Sequence, residues 1–132
     1  MTVSDQLHKI EIHELAAKYA DLCDQADWDA VVALYTADGV FDAEATYGRI
    51  ATGHDDLLDF YKSFPVAIAH HPTSLHSTID GDTATTRMKM LVLFKAGTFS
   101  VNYTWQLRAV DGEWNIAHQA IAIQGKLDAP KA

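Results

Sequence analysis

Apolar and polar positions in the first twenty-five residues recur with the period of an α-helix. Ile12, Leu15, Ala16, Tyr19, Leu22 and Cys23 fall on one stripe, and a second stripe of small residues, Ala17 and Ala20, ends at Asp24. Thr2 or Ser4 can cap this helix, which is predicted to run to about Gln25. Asp27 can cap a second helix carrying Trp28, Val31, Val32, Leu34 and Tyr35, which Asp38-Gly39 would stop. Residues 40–42 and 46–50 read as a short, weak hairpin. Thr52 and Asp55 resemble a capping box with Asp in place of Glu, opening a third helix through Leu57, Leu58, Phe60 and Tyr61 that ends before Pro65.

From Thr73 onward the period changes to two. Ala84, Thr86, Met88, Met90, Val92 and Phe94 alternate with Thr85, Arg87 and Lys89. Phe99, Val101, Tyr103, Trp105 and Leu107 alternate with Ser100, Asn102, Thr104, Gln106 and Arg108, and Trp114, Ile116 and His118 lead a last strand. The turns are Asp80-Gly81-Asp82, Ala96-Gly97 and Asp111-Gly112. These strands run about ten residues against a usual five or six, so the sheet they form must twist and curl. Helices followed by strands define an α+β fold. The expected shape is a cone-like roll: three N-terminal helices packed on a curved, mainly antiparallel sheet, with an open mouth. Leu91, Leu93, Ile121 and Ile123 are assigned to the second face of the sheet. Apolar residues there would need a cover, so a homodimer through the sheet is expected.

The chain has 132 residues, which predicts one domain over 1–132 with 126–132 a loose tail. A chain of that length buries roughly two-thirds of its unfolded surface, so it needs no disulfide or metal to fold. Its single cysteine, Cys23, excludes an intramolecular disulfide. The net charge of −8 argues against nucleic acid or an anionic membrane as partner, while leaving a small apolar ligand open. The N-terminal segment has no signal-peptide pattern and no apolar run is long enough to span a bilayer, so a cytoplasmic location is expected.

Several strings carry a resemblance. Tyr19-Ala20-Asp21-Leu22-Cys23-Asp24-Gln25-Ala26-Asp27-Trp28-Asp29 and Leu34-Tyr35-Thr36-Ala37-Asp38-Gly39-Val40-Phe41 resemble the junction of the first two helices, and the segment after it, in the SnoaL-like branch of the nuclear transport factor 2-like superfamily. Gly53 with the helix that follows, Asp80-Gly81-Asp82-Thr83-Ala84 and Asp111-Gly112-Glu113-Trp114-Asn115-Ile116 fit in the same order. The resemblance covers about residues 5–125. It implies an α+β cone around an apolar pocket, and a cofactor-free lyase or isomerase of the dehydratase or polyketide cyclase type, or a relative without catalysis. It also implies that Asp24, near the end of the first helix, pairs in the cavity with His76, just before the first long strand, and that Tyr19 supplies a polarising hydroxyl. Phe94, Cys23 and Ile123 stand where members carry a second histidine, a tyrosine and an arginine, so no known catalytic set is reproduced whole.

The residues themselves allow that chemistry. A carboxylate can orient an imidazole and favour its cation while the imidazole moves a proton. Asp24 lies near a helix C-terminus, where a negative charge is unfavourable, and that mildly suggests a use; a solvated aspartate is the alternative. For His76 the alternative is a loop or surface histidine, because His70 and His71 lie close by. Those two rarely share one ion, since neighbours in a strand point to opposite faces, and no zinc-site spacing is present; neither metal nor cofactor is expected. Trp28, Met90, Phe94, Tyr103, Trp105 and His118 are candidates to line the cavity. Plain packing remains open for Trp28, Tyr103 and Trp105, and a hydrogen-bonded core role for His118. The two functional readings are thus an acid/base enzyme for a small, largely apolar cyclic substrate, and a ligand-binding or dimeric interaction module.

Overall fold

The computed structural model describes residues 2–130; Met1 and the last two residues of the expected tail, Lys131 and Ala132, lie outside the described residues. Helix α1 spans Val3–Asp24. It begins at Thr2 because Thr2 Oγ1 accepts the Asp5 N–H at 3.0 Å and the Asp5 carboxylate accepts the Thr2 N–H at 3.4 Å. After Ala26, in the left-handed region at φ 54°, Asp27 caps α2, Trp28–Ala33, by accepting the Ala30 N–H at 3.3 Å.

Helix α2 is shorter than expected. Tyr35 already belongs to strand β1, Tyr35–Ala43, and the Leu34 carbonyl accepts the Ile116 N–H at 2.9 Å. The apolar pairs 31/32 and 34/35 suit a helical stripe, but pairing with the last strand overrides it. Asp38-Gly39 therefore is not a helix stop. It sits in an irregularity of β1, where a Cβ on Gly39 would lie 2.9 Å from both the Tyr35 side chain and the Thr36 carbonyl. A single turn, α3 (Glu44–Tyr47), separates β1 from β2 (Arg49–Thr52), and the hairpin registers Val40 with Thr52. Helix α4, His54–Lys62, starts from Gly53 at φ 83°; the Thr52 side chain caps nothing, and the Asp56 carboxylate instead accepts the Thr52 N–H at 2.9 Å.

Four long antiparallel strands complete the sheet: β3 (Ala69–Asp80), β4 (Thr83–Phe94), β5 (Gly97–Val110) and β6 (Glu113–Asp128). The order is β2-β1-β6-β5-β4-β3, with β1 parallel to β6. Helices α1 and α4 cover the concave face, where Ile12, Leu15, Tyr19, Leu57 and Phe60 meet Met88, Met90, Trp105 and Leu107 in one buried core. Lys126, Leu127 and Asp128, assigned to a loose tail, are the end of β6 and pair with Phe99, Thr98 and Gly97.

Three β-bulges decide which side chains face inward. In β3, with Ser74 at φ 51°, the register slips between Thr73 and His76. His70 and Pro72 oppose the inward Val92 and Met90, and beyond the bulge Ser77 and Ile79 oppose the inward Thr86 and Ala84. In β6 the register slips at Ala117, so that Gln119 rather than His118 stands beside Trp105, and again at Gln124, so that Lys126 rather than Gly125 stands beside Phe99. Ile121 and Ile123 oppose Tyr103 and Val101 and so face inward. Of the four apolar residues assigned to the outer face, only Leu91 and Leu93, opposite Ser100 and Thr98, lie there.

Candidate active site

The curl of the sheet leaves a cavity of about 560 Å³ between its concave face, α1, α4 and the segment that follows α4. Its floor is buried: Tyr19, Cys23, Phe41, Tyr61 and Tyr103 are each at most 6 % exposed. Its rim is open, with Val66, Ile68 and Ile123 at 56 %, 60 % and 44 %. The lining is chiefly apolar, which makes its few polar groups informative.

The first of these is a charged pair in the wall. Asp24, the last residue of α1, binds His70 at two points. Asp24 Oδ1 lies 2.6 Å from His70 Nδ1, and Asp24 Oδ2 accepts the His70 backbone N–H at 3.1 Å. In the neutral ring this contact selects the Nδ1–H tautomer, which places the lone pair on Nε2. The side chains are 25 % and 14 % exposed, and His70 lines the cavity whereas Asp24 stands behind it.

The expected partner of Asp24 was His76, and the structure does not bring those two together. His76 lies on the outer face opposite Arg87, exposed, beside a shallow hollow with Ser74, Lys89 and Asn102. The bulge at Ser74 is the reason, because its extra residue leaves His76 on the outward side. His70 was within reach of the sequence. If adjacent histidines in a strand face opposite ways, one of His70 and His71 must face inward once β3 begins at Ala69.

The second polar group is a neutral network in the floor. Trp105 Nε1–H donates to Gln119 Oε1 at 2.7 Å, which orients the amide. Gln119 Nε2 then donates to the Tyr19 hydroxyl at 3.1 Å and, more weakly, to that of Tyr61 at 3.4 Å. Tyr61 Oη is 2.8 Å from Tyr19 Oη and 2.7 Å from Tyr35 Oη. Three hydroxyls share two mutual bonds, so one proton is left over. Tyr35 does not reach the cavity and Tyr19 does. A ligand oxygen at Tyr19 therefore selects the order Tyr35 to Tyr61 to Tyr19, with the spare proton aimed at the ligand. His54 braces the far end, its Nε2–H shared between the Tyr35 and Thr36 carbonyls at 3.1 Å each.

Burial raises the pKa of Tyr19, Tyr35, Tyr61 and Tyr103 above the ordinary tyrosine value, so these groups act as neutral donors. Burial likewise pushes the Cys23 thiol up to about 12, which fits an inert core residue.

Of the remaining lining candidates, Trp28, Phe94 and Tyr103 reach the cavity, and Trp28 stacks on Tyr61 with ring centroids 5.5 Å apart. Met90 and Trp105 are fully buried behind it, Trp105 edge-on to Tyr19 at 5.6 Å. His118 faces the outer side opposite Gln106. Tyr35, Tyr61 and Gln119 were not among the expected site residues. Gln119 was hidden by the Ala117 bulge, and the two tyrosines lay in stripes already explained by packing. Among the described residues no three His, Cys, Asp or Glu side chains are grouped to hold a metal ion, and no helix is long and apolar enough to cross a membrane.

An α+β cone with helices laid across a curled mixed sheet defines the nuclear transport factor 2-like, cystatin-like class of folds. Within it, the chain belongs to the SnoaL-like domain family, whose profile matches residues 7–120. No curated protein matches the chain. Among solved structures it is similar to a candidate scytalone dehydratase from Novosphingobium aromaticivorans, at 18% identity and TM-score 0.85 over 100% of this chain and 94% of that one. It is also similar to a type 2 hexachlorocyclohexane dehydrochlorinase, at 15% identity and TM-score 0.81 over 99% and 95% of the two chains. A third is an NTF2-like protein with a cystatin-like fold from N. aromaticivorans, at 23% identity and TM-score 0.77 over 92% and 88%. At these identities the likeness speaks to the fold.

Proposed function

We propose that the protein is a cofactor-independent acid/base enzyme, of the dehydratase, isomerase or cyclase type, acting on a small, largely apolar cyclic substrate in the cone cavity. The carrying observation is the 2.6 Å contact between Asp24 and His70 in the wall of an apolar cavity. Neutral His70 takes a proton from an activated substrate carbon at Nε2. Asp24, which does not touch the cavity, holds the ring and stabilises the imidazolium that results. The electron pair left on carbon moves onto an adjacent carbonyl oxygen, where the Tyr19 hydroxyl donates to the developing charge, with Tyr61 and Tyr35 donating in line behind it. His70 then returns its proton to a leaving oxygen, giving elimination, or to another carbon, giving isomerisation. The buried, chiefly apolar floor lowers the local dielectric and so strengthens the Tyr19 contact.

The test needs no knowledge of the natural substrate. 2-Tetralone, a bicyclic ketone with acidic α-hydrogens, is incubated in D₂O and its α-deuteration followed by NMR. The protein should accelerate exchange, and His70→Gln should lose roughly 10² to 10⁴-fold, the span of general acid–base catalysis. A ketone that binds without exchanging, or exchange untouched by His70→Gln, would favour the binding-module reading instead.

A further inference from the structure

The strand register lines up four cavity residues in one row across the sheet. His70 pairs with Val92, Val92 with Phe99, and Phe99 with Lys126. All four line the cavity. Three strand spacings of about 4.8 Å put the ends of the row some 14 Å apart at the backbone. With an imidazole projecting from one bank and a lysine from the other, the gap suits one or two fused rings lying on Val92 and Phe99.

The charge at the far end of this row runs against the composition. The chain carries 18 acidic and 10 basic residues, yet the cavity lining holds Lys95 and Lys126 and no Asp or Glu. Lys126 Nζ sits 5.5 Å from the Phe99 ring centroid, so its ammonium leans back along the row. Its partner Asp128, at 3.0 Å, is 82 % exposed, and an exposed pair of that kind is weak and screened. Lys95, in the turn joining the two middle strands of the row, makes no ion pair among the described residues.

We propose that the ligand is a small cyclic carboxylate, its rings on Val92 and Phe99, its reacting edge at His70 and its anionic group held by Lys126 and Lys95. Two flexible point charges match a single carboxylate; a phosphate would be better served by a cradle of backbone N–H groups, and this rim has no glycine-rich loop of that kind. The inference rests on the cavity and on His70 as proposed above.

Two probes of one shape separate charge from fit: 2-naphthoate and the neutral 2-naphthamide, titrated by calorimetry at low salt. The acid should bind about tenfold more tightly than the amide, from two partly exposed charge contacts. That margin should shrink in about 0.5 M salt. The double variant Lys95→Gln/Lys126→Gln should erase the preference and leave the amide's affinity unchanged, and arginine at both positions should restore it. Both lysines are exposed at the rim, so the variants should fold as the parent does. Equal binding of the two probes, or a preference that survives the double variant, would overturn the assignment. A preference lost in His70→Gln and kept without the lysines would overturn it as well, giving the anion to the imidazole. If neither probe binds, this inference and the cavity reading fail together. If the preference appears without 2-tetralone exchange, the rim site stands and the enzyme reading fails.

Discussion

The two polar clusters of the cavity solve the same problem in opposite ways. Asp24 and His70 are ionisable, stand in the wall and keep 25 % and 14 % of their side-chain surface. Tyr19, Tyr35, Tyr61 and Gln119 carry no charge and are almost wholly buried. A charge withdrawn from water costs several kcal/mol even when paired, roughly, whereas hydroxyls and amides can be buried fully if they satisfy one another. The contrast predicts that the floor carries most of the stability and reaches the substrate through Tyr19 alone, while the wall moves the proton.

The largest stability effect should therefore come from the floor. Gln119→Leu keeps roughly the same volume, strands the Trp105 N–H and takes one donor from the Tyr19 and Tyr61 hydroxyls, which keep each other; urea unfolding should show a loss of about 2 kcal/mol, since an unsatisfied buried group costs roughly 1–3 kcal/mol. A loss below the measurement error would mean that the network relaxes without its hub.

High pH should strain the same region. The four buried tyrosines stand above the ordinary 10.0 and Cys23 above the ordinary 9.0. Groups whose folded pKa is raised contribute stability that is intact below the unfolded values and lost as the pH climbs toward the folded ones. Unfolding free energy should thus be level up to about pH 9 and fall above it. Tyrosinate absorbance from the buried rings should rise together with loss of near-ultraviolet circular dichroism. Ionisation of more than one of the five tyrosines in a protein that stays folded would contradict a sealed floor, since only Tyr47 is exposed.

The smallest stability effect belongs to the wall. Asp24→Asn keeps one acceptor oxygen for the two His70 N–H groups, and the wall is open enough for the other N–H to reach water, so it should cost about 1 kcal/mol. It should nonetheless slow α-deuteration of 2-tetralone at least tenfold, because the amide cannot stabilise an imidazolium. Loss of stability without loss of exchange would reverse the assignment of the two regions.

Much of this architecture was legible in residue order. The stripe of α1, its cap at Thr2, the alternation in β4 and β5 and the inward-facing Tyr103 and Trp105 all follow from period and turn chemistry. Asp24 stood out because it ends a row of small residues at the negative end of a helix. What escaped was set by long-range pairing. Leu34 and Tyr35 fit a helix as well as a strand until β6 claims them, and neither Ser74 nor Ala117 belongs to a residue type that announces a bulge. The bulges at Ser74 and Ala117 each moved one histidine, His76 or His118, to the outer face, and the one at Gln124 turned Lys126 inward. A one-residue slip changes the face of everything beyond it.

Those surplus residues also shape the molecule as a whole. A strand with one residue more than its neighbour must take the longer path round a bend, as the outer lane of a curve does. Ser74 in β3, and Ala117 and Gln124 in β6, supply that extra contour length on either side of β4 and β5. The hollow is therefore a property of backbone arithmetic before it is one of side chains. Its walls can be repainted with other residues while the space they enclose persists.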